Sequence, residues 1–159
     1  MAIVVGTATS LKLQFETKDA RTPVTDFEVA HERKLHLFIV SEDMSFFAHE
    51  HPEVQDSATG TWTQAFTFSQ PGKYRVYADF KSTAQGPTVT MSTLEVPGAA
   101  PAPKPLVADS EMTKTFDGLK VTIATTPATL GKGDALITYT IADAATGAPV
   151  TDLQPYLGA

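Results

Sequence analysis

An antiparallel β-sandwich is what this 159-residue sequence predicts, on three observations. Apolar residues alternate along the chain far more often than they recur at three- and four-residue spacing, so helical patterning is almost absent. The alternating runs are short and rich in Thr, Val, Tyr and Phe, which suit a pleated, half-buried surface. Between them stand turn sequences such as "SATG", "QPG" and "AQGP",. Strands at this spacing with this punctuation read as two packed antiparallel sheets.

Each run justifies a strand. "SLKLQFE" sets Leu11, Leu13 and Phe15 on one face, with Lys12, Gln14 and Glu16 on the other. "LHLFIVS" and "FFAHEHP" flank "EDMS" and read as a hairpin with a short loop. "TWTQAFTFS" places Trp62 with Phe66 and Phe68, interrupted by Gln64. "GKYRVYADF" alternates Tyr74, Val76 and Ala78 with Arg75, Tyr77 and Asp79, and "TVTMSTLEV" closes the series near Val96. Residues 1–96 are therefore expected to form one module. Residues 97–107, rich in Pro and Ala and without periodicity, read as a semi-extended linker.

Residues 108–159 read as a partial second module, with strands in "FDGLKVTIAT" and "LITYTIAD". Sliding the chain by 126 residues lays Leu11, Leu13 and Phe15 on Ile137, Tyr139 and Ile141, and "PVTDF" at 23–27 on "PVTDL" at 149–153,. Two accounts fit this repeat. The chain is a piece of a longer tandem protein, or its C-terminal strands complete the first module by strand addition, which between copies would give a strand-exchanged homo-oligomer.

Composition removes several classes of function. With 12 Lys and Arg against 18 Asp and Glu, the net charge of -6 works against a sequence-independent grip on nucleic acid or anionic lipid,. No cysteine means no disulfide, no thiolate nucleophile and no His₂Cys blue-copper centre,. No apolar run reaches the roughly 18–20 residues of a membrane-spanning helix, and "MAIVVGTATS" lacks the basic start and long apolar middle of a signal peptide. A leader cut from a mature sequence, with Met1-Ala2 as an added start, is compatible with this.

All four histidines fall in "HERKLHLFIVSEDMSFFAHEHPE", residues 31–53. A two-residue turn at Glu42-Asp43 pairs His36 with His49; a four-residue loop, Glu42 to Ser45, pairs His36 with His51. In either register His36, His49 and His51 share one face, because opposed residues do so and residues two apart do so. A three-residue loop would turn His36 away. Leu35, Leu37, Ile39, Phe46 and Ala48 on the other face read as core, while Phe38, Val40 and Phe47 shield the histidines. Three neutral imidazoles suit copper or zinc. His31 joins them as a fourth ligand only if "AHERK" bends, and Met44 at the loop tip could add a soft ligand for Cu(I). The competing reading is structural, with the histidines bonding each other, Glu50, Glu53 or water.

The same stretch resembles a pattern in bacterial exported or envelope-associated modules, often tandem and often beside copper or heavy-metal handling genes. The pattern runs as His, a basic stretch, "HL", three apolar residues, "S-D" and "F-H-HP". The resemblance implies an immunoglobulin-like sandwich outside the cytoplasm, periplasmic or secreted, with a metal-related role. It implies as partner a metal donor or acceptor, or another envelope protein.

No enzyme is expected, since there is no nucleophile elbow and no P-loop. A His₃ metal hydrolase or oxidase would need an open coordination position and a nearby acid, for which Glu50 and Glu53 are the candidates. Trp62 with Tyr74 and Tyr77 could line a sugar-binding face, although Trp62 reads better as core. The recurring Asp26 and Asp152 are expected to bond their own turns.

Overall fold

The computed structural model describes residues 3–102 and 105–154. Pro103 and Lys104 of the expected linker, and the final five residues of the second segment, lie outside it. The chain divides into two compact units, the first covering residues 3–102 and the second 105–154 of those described. Among the described residues there is no helix, so none is long and apolar enough to cross a membrane.

The first unit is an antiparallel β-sandwich. One sheet has the order β1 (Ala8–Gln14), β6 (Thr61–Thr67), β5 (Glu53–Asp56). In the other, β7 (Gly72–Ser82) pairs along its whole length with β8 (Gly86–Val96) and on its opposite edge with β3 (Leu35–Ser41), which in turn pairs with β4 (Phe47–Glu50). The short β2 (Phe27–Glu28) continues the line of β3 against the end of β7.

Alternation decides which side chains meet between the sheets. Leu35, Leu37 and Ile39 of β3 and Tyr74, Val76, Ala78 and Phe80 of β7 are buried, and so are Trp62 and Phe66 of β6. Leu11, Leu13 and Phe15 pack against them from the β1 side. The aromatic centre is tight, with Phe15 and Phe80 rings 4.7 Å apart and Phe27 and Trp62 rings 4.9 Å apart in an edge-on pair. Trp62 and Tyr74 are thus core, while Tyr77 lies on the outer face of β7, so no shared sugar-binding face exists.

Two local expectations are corrected. The Asp26 carboxylate does not bond its own turn; it accepts from Ser82 Oγ at 2.9 Å and Ala84 N–H at 2.8 Å. The bond from Ala84 N–H, and then that from Ser82 Oγ, hold its pKa below the ordinary carboxylate value and tie the start of β2 to the β7–β8 turn. Asp152 makes no such bond among those described; its carbonyl accepts from Gln154.

The second unit is one three-stranded antiparallel sheet, β9 (Thr113–Phe116), β10 (Leu119–Thr126) and β11 (Leu136–Asp143), in the order β11-β10-β9. The turn after β11 repeats the turn after β1 at the 126-residue offset. Val24 N–H donates to Phe15 O at 2.9 Å, as Val150 N–H does to Ile141 O at 3.0 Å; Thr17 N–H to Thr22 O matches Asp143 N–H to Ala148 O.

Candidate metal centre

The hairpin loop decides which residues face one another. β3 and β4 pair Phe38 with His49 and Ile39 with Ala48, the register of the four-residue loop Glu42 to Ser45; the two-residue turn does not form. The reason is Asp43. Its carboxylate accepts from Ser41 Oγ at 2.7 Å, Ser45 N–H at 3.1 Å and Ser45 Oγ at 2.8 Å, so the acid fills the loop from inside. These bonds hold its pKa down. Met44 then takes a left-handed conformation, φ 58°, with its N–H on Ser41 O.

In this register His36, His49 and His51 share the outer face, and each is held differently. His36 is buried mid-sheet between β4 and β7, with Asp79 beside it on β7. His49 stacks on Phe38, ring centroids 4.4 Å apart. His51 follows the end of β4, and the next residue, Pro52, is buried where the chain leaves this sheet for β5 in the other. A proline there cannot donate to a ladder, which suits the end of pairing.

The three histidines cluster closely enough to hold a metal ion, with one ring nitrogen from each lying within 4.8 Å of the others. His36 Nδ1 and His49 Nε2 are 3.2 Å apart. Two nitrogens bound to one tetrahedral ion at about 2.0 Å stand roughly 3.3 Å apart, so this pair already has that spacing. The ring centroids form a triangle with sides of 5.4, 5.0 and 4.7 Å.

Hydrogen bonding orders the proton positions. His36 Nε2 lies 3.0 Å from Ala30 O, an acceptor only, so Nε2 carries the proton and Nδ1 keeps its lone pair toward the cluster,. His49 Nε2–H therefore donates to it in the metal-free state. His51 Nε2 is buried with no hydrogen-bond partner. Burial, and then the neighbouring His36, lower the pKa of His49, offset in part by Glu50. Burial, and then His49, His36 and Arg33, lower that of His51. Both effects favour the neutral imidazole that metals require.

The remaining candidates fall elsewhere. His31 is exposed on a bend, its ring 6.2 Å from His36 and outside the close group. Met44 is 67 % exposed at the loop tip, and the run of β3 from His36 to Ser41 puts it roughly 15 Å from the cluster, so it is not a ligand,. Glu50 points to the opposite face from the histidines, because it pairs with Leu37, and it accepts from Gln64 Nε2 at 3.0 Å. Glu53 is exposed in the other sheet. Neither is the acid a His₃ hydrolase would need. Sequence reasoning missed the Ala30 carbonyl and Asp79. The first is backbone and leaves no residue signal; the second depends on the long-range β3–β7 register.

Compared with known proteins, neither the curated set nor the solved structures contain a match to the chain. The family described as "Domain of unknown function (DUF8832)" matches residues 1–98, which take in the whole sandwich and all four histidines. The chain therefore belongs to the DUF8832 family, through the unit that carries the histidine cluster.

Proposed function

We propose that the first unit is a non-enzymatic metal-binding module that takes copper or zinc through His36, His49 and His51, for buffering or delivery outside the cytoplasm. The observation that carries this reading is His51 Nε2, buried without a partner beside two imidazoles at ligand spacing. An unpaired buried nitrogen costs about 1–3 kcal/mol, a cost that an ion would remove. The absence of thiolate restricts the donors to borderline nitrogen ligands, which suit Cu(II) and Zn(II). The location and the immunoglobulin-like kinship rest on the resemblance of residues 31–53. Tyr74 Oη, donating to Gln70 O at 2.9 Å, adds a corner of the kind such domains use,.

A structural role has its own support in the His49–His36–Ala30 chain of hydrogen bonds. It accounts for two histidines and leaves His51 without a task. Calorimetric titration of the metal-free protein with Cu(II) and Zn(II), beside a His49→Ala, His51→Ala double variant, separates the two. Saturable binding near one ion per chain that the double change abolishes supports the metal reading. Binding that is absent, or indifferent to the change, removes it.

A further inference from the structure

We propose that His31 is the fourth ligand of this centre, swinging in to close it around an ion; the inference rests on the metal reading above. The segment before β3 is built to bring it there. Ala30 N–H donates to Arg33 O at 2.8 Å and Arg33 N–H to Ala30 O at 3.2 Å, closing a two-residue hairpin turn. Its central residues, His31 at φ 51° and Glu32 at φ 65°, are both left-handed. That is the type I′ turn, whose usual occupants are Asn and Gly. Here a histidine stands at the first central position, where Asn would serve the backbone better.

The turn reverses the expectation for His31. On an unbroken strand it would point away from His36; instead its ring stands edge-on to the His36 ring, at 6.2 Å and 71°. Tetrahedral bonds of about 2.0 Å place coordinated imidazole centroids roughly 5 Å apart. The cluster's own sides of 4.7 to 5.4 Å meet that value, and His31, 6.2 Å from His36, must move inward to join them. Three protein nitrogens leave a tetrahedral ion one position short. Among the described residues the nearby carboxylates do not fill it: Glu50 is engaged with Gln64, and Asp79, opposite His36, is outside the close group. His31 is exposed, so moving its ring disturbs no packing.

The same turn presents Ala30 O to His36 Nε2, so one short element orients one ligand and supplies another. A fourth imidazole would exclude solvent from the ion and favour holding it over catalysis. An exposed ligand on a turn is also the one that an acceptor could displace first.

The test uses the full chain loaded with Zn(II) for X-ray absorption and with Co(II) for its visible spectrum, as wild type, His31→Ala and His31→Asn. Asn tolerates the left-handed backbone, so it keeps the turn while removing the imidazole. The wild type is expected to show four nitrogen ligands. Both variants are expected to show three plus solvent oxygen, with transfer of Zn(II) to a chelator about 10-fold faster or more. Unchanged spectra and release in both variants would overturn the role of His31 and leave the three-histidine centre standing. Faster release in His31→Ala alone would also overturn it, since the turn and not the imidazole would then matter. A wild type that takes up no ion fails the metal reading itself.

Discussion

His51 is where stability and function pull apart at the level of single residues. Its Nε2 is buried and unpaired, so in the metal-free protein it contributes a desolvation cost and no bond. His51→Phe is expected to leave metal-free stability unchanged or raise it by about 1 kcal/mol, while lowering metal affinity at least about 100-fold. Urea unfolding and metal titration of the same sample check both. His36→Ala is expected to behave oppositely, destabilising the metal-free fold by about 1–3 kcal/mol, because it removes a buried ring and orphans Ala30 O,. The pH dependence follows from the lowered pKa values of His49 and His51. The unfolded chain takes up protons near the ordinary value of 6.5 before the folded one does, so stability is fully present above that pH and is lost as pH falls through the folded values,. Urea midpoints should drop between pH 7.5 and 5.5, and the drop should shrink in the His49→Ala, His51→Ala variant.

Elements explain why the cluster assembles at all. The β3–β4 hairpin has one face committed to the core through Leu35, Leu37 and Ile39, so its register cannot slip by one residue without exposing them,. The Asp43-filled loop agrees with that register, and the histidines share a face as a consequence. Met44 lies too far along the hairpin to reach an ion that the histidines could hold,. Met44→Gly should leave metal affinity unchanged and raise stability by a few tenths of a kcal/mol, since glycine takes φ 58° without strain,. Gly60 is the opposite case. It stands at φ +62° before β6, where an added Cβ would lie 2.0 Å from Val24 O. Gly60→Ala is therefore expected to cost at least about 2 kcal/mol in thermal unfolding.

At the scale of the whole molecule, the histidine site belongs to one unit. The two strands and the turn that supply His31, His36, His49 and His51, the opposing sheet and the family match all fall within residues 1–98. The chain cut after residue 102 is expected to fold cooperatively and bind metal with the affinity of the full chain; a loss of either would assign the second unit a part in the site. The second unit is a single sheet that leaves Ile137 and Tyr139 exposed. A three-stranded layer with large apolar side chains in solvent should show the lower protection in hydrogen exchange,.

The sequence by itself determined the all-β fold, because alternation with period two leaves no helical face to bury. It determined that Leu35, Leu37 and Ile39 share the core face of the hairpin, and that His36, His49 and His51 share a face in any even loop. Those are local properties of strands, readable from parity alone. What only the tertiary structure decided turned on which hydrogen bonds form, within a loop or between distant elements. Three hydroxyl and amide donors around Asp43 selected four loop residues over two. The β4–β6 hydrogen bond from Gln64 to Glu50 engaged that carboxylate on the face away from the histidines. A left-handed turn gave His36 the Ala30 carbonyl and brought His31 to the edge of the cluster. Side-chain identity names the candidates for a site; the direction of each lone pair depends on partners that lie elsewhere in the chain.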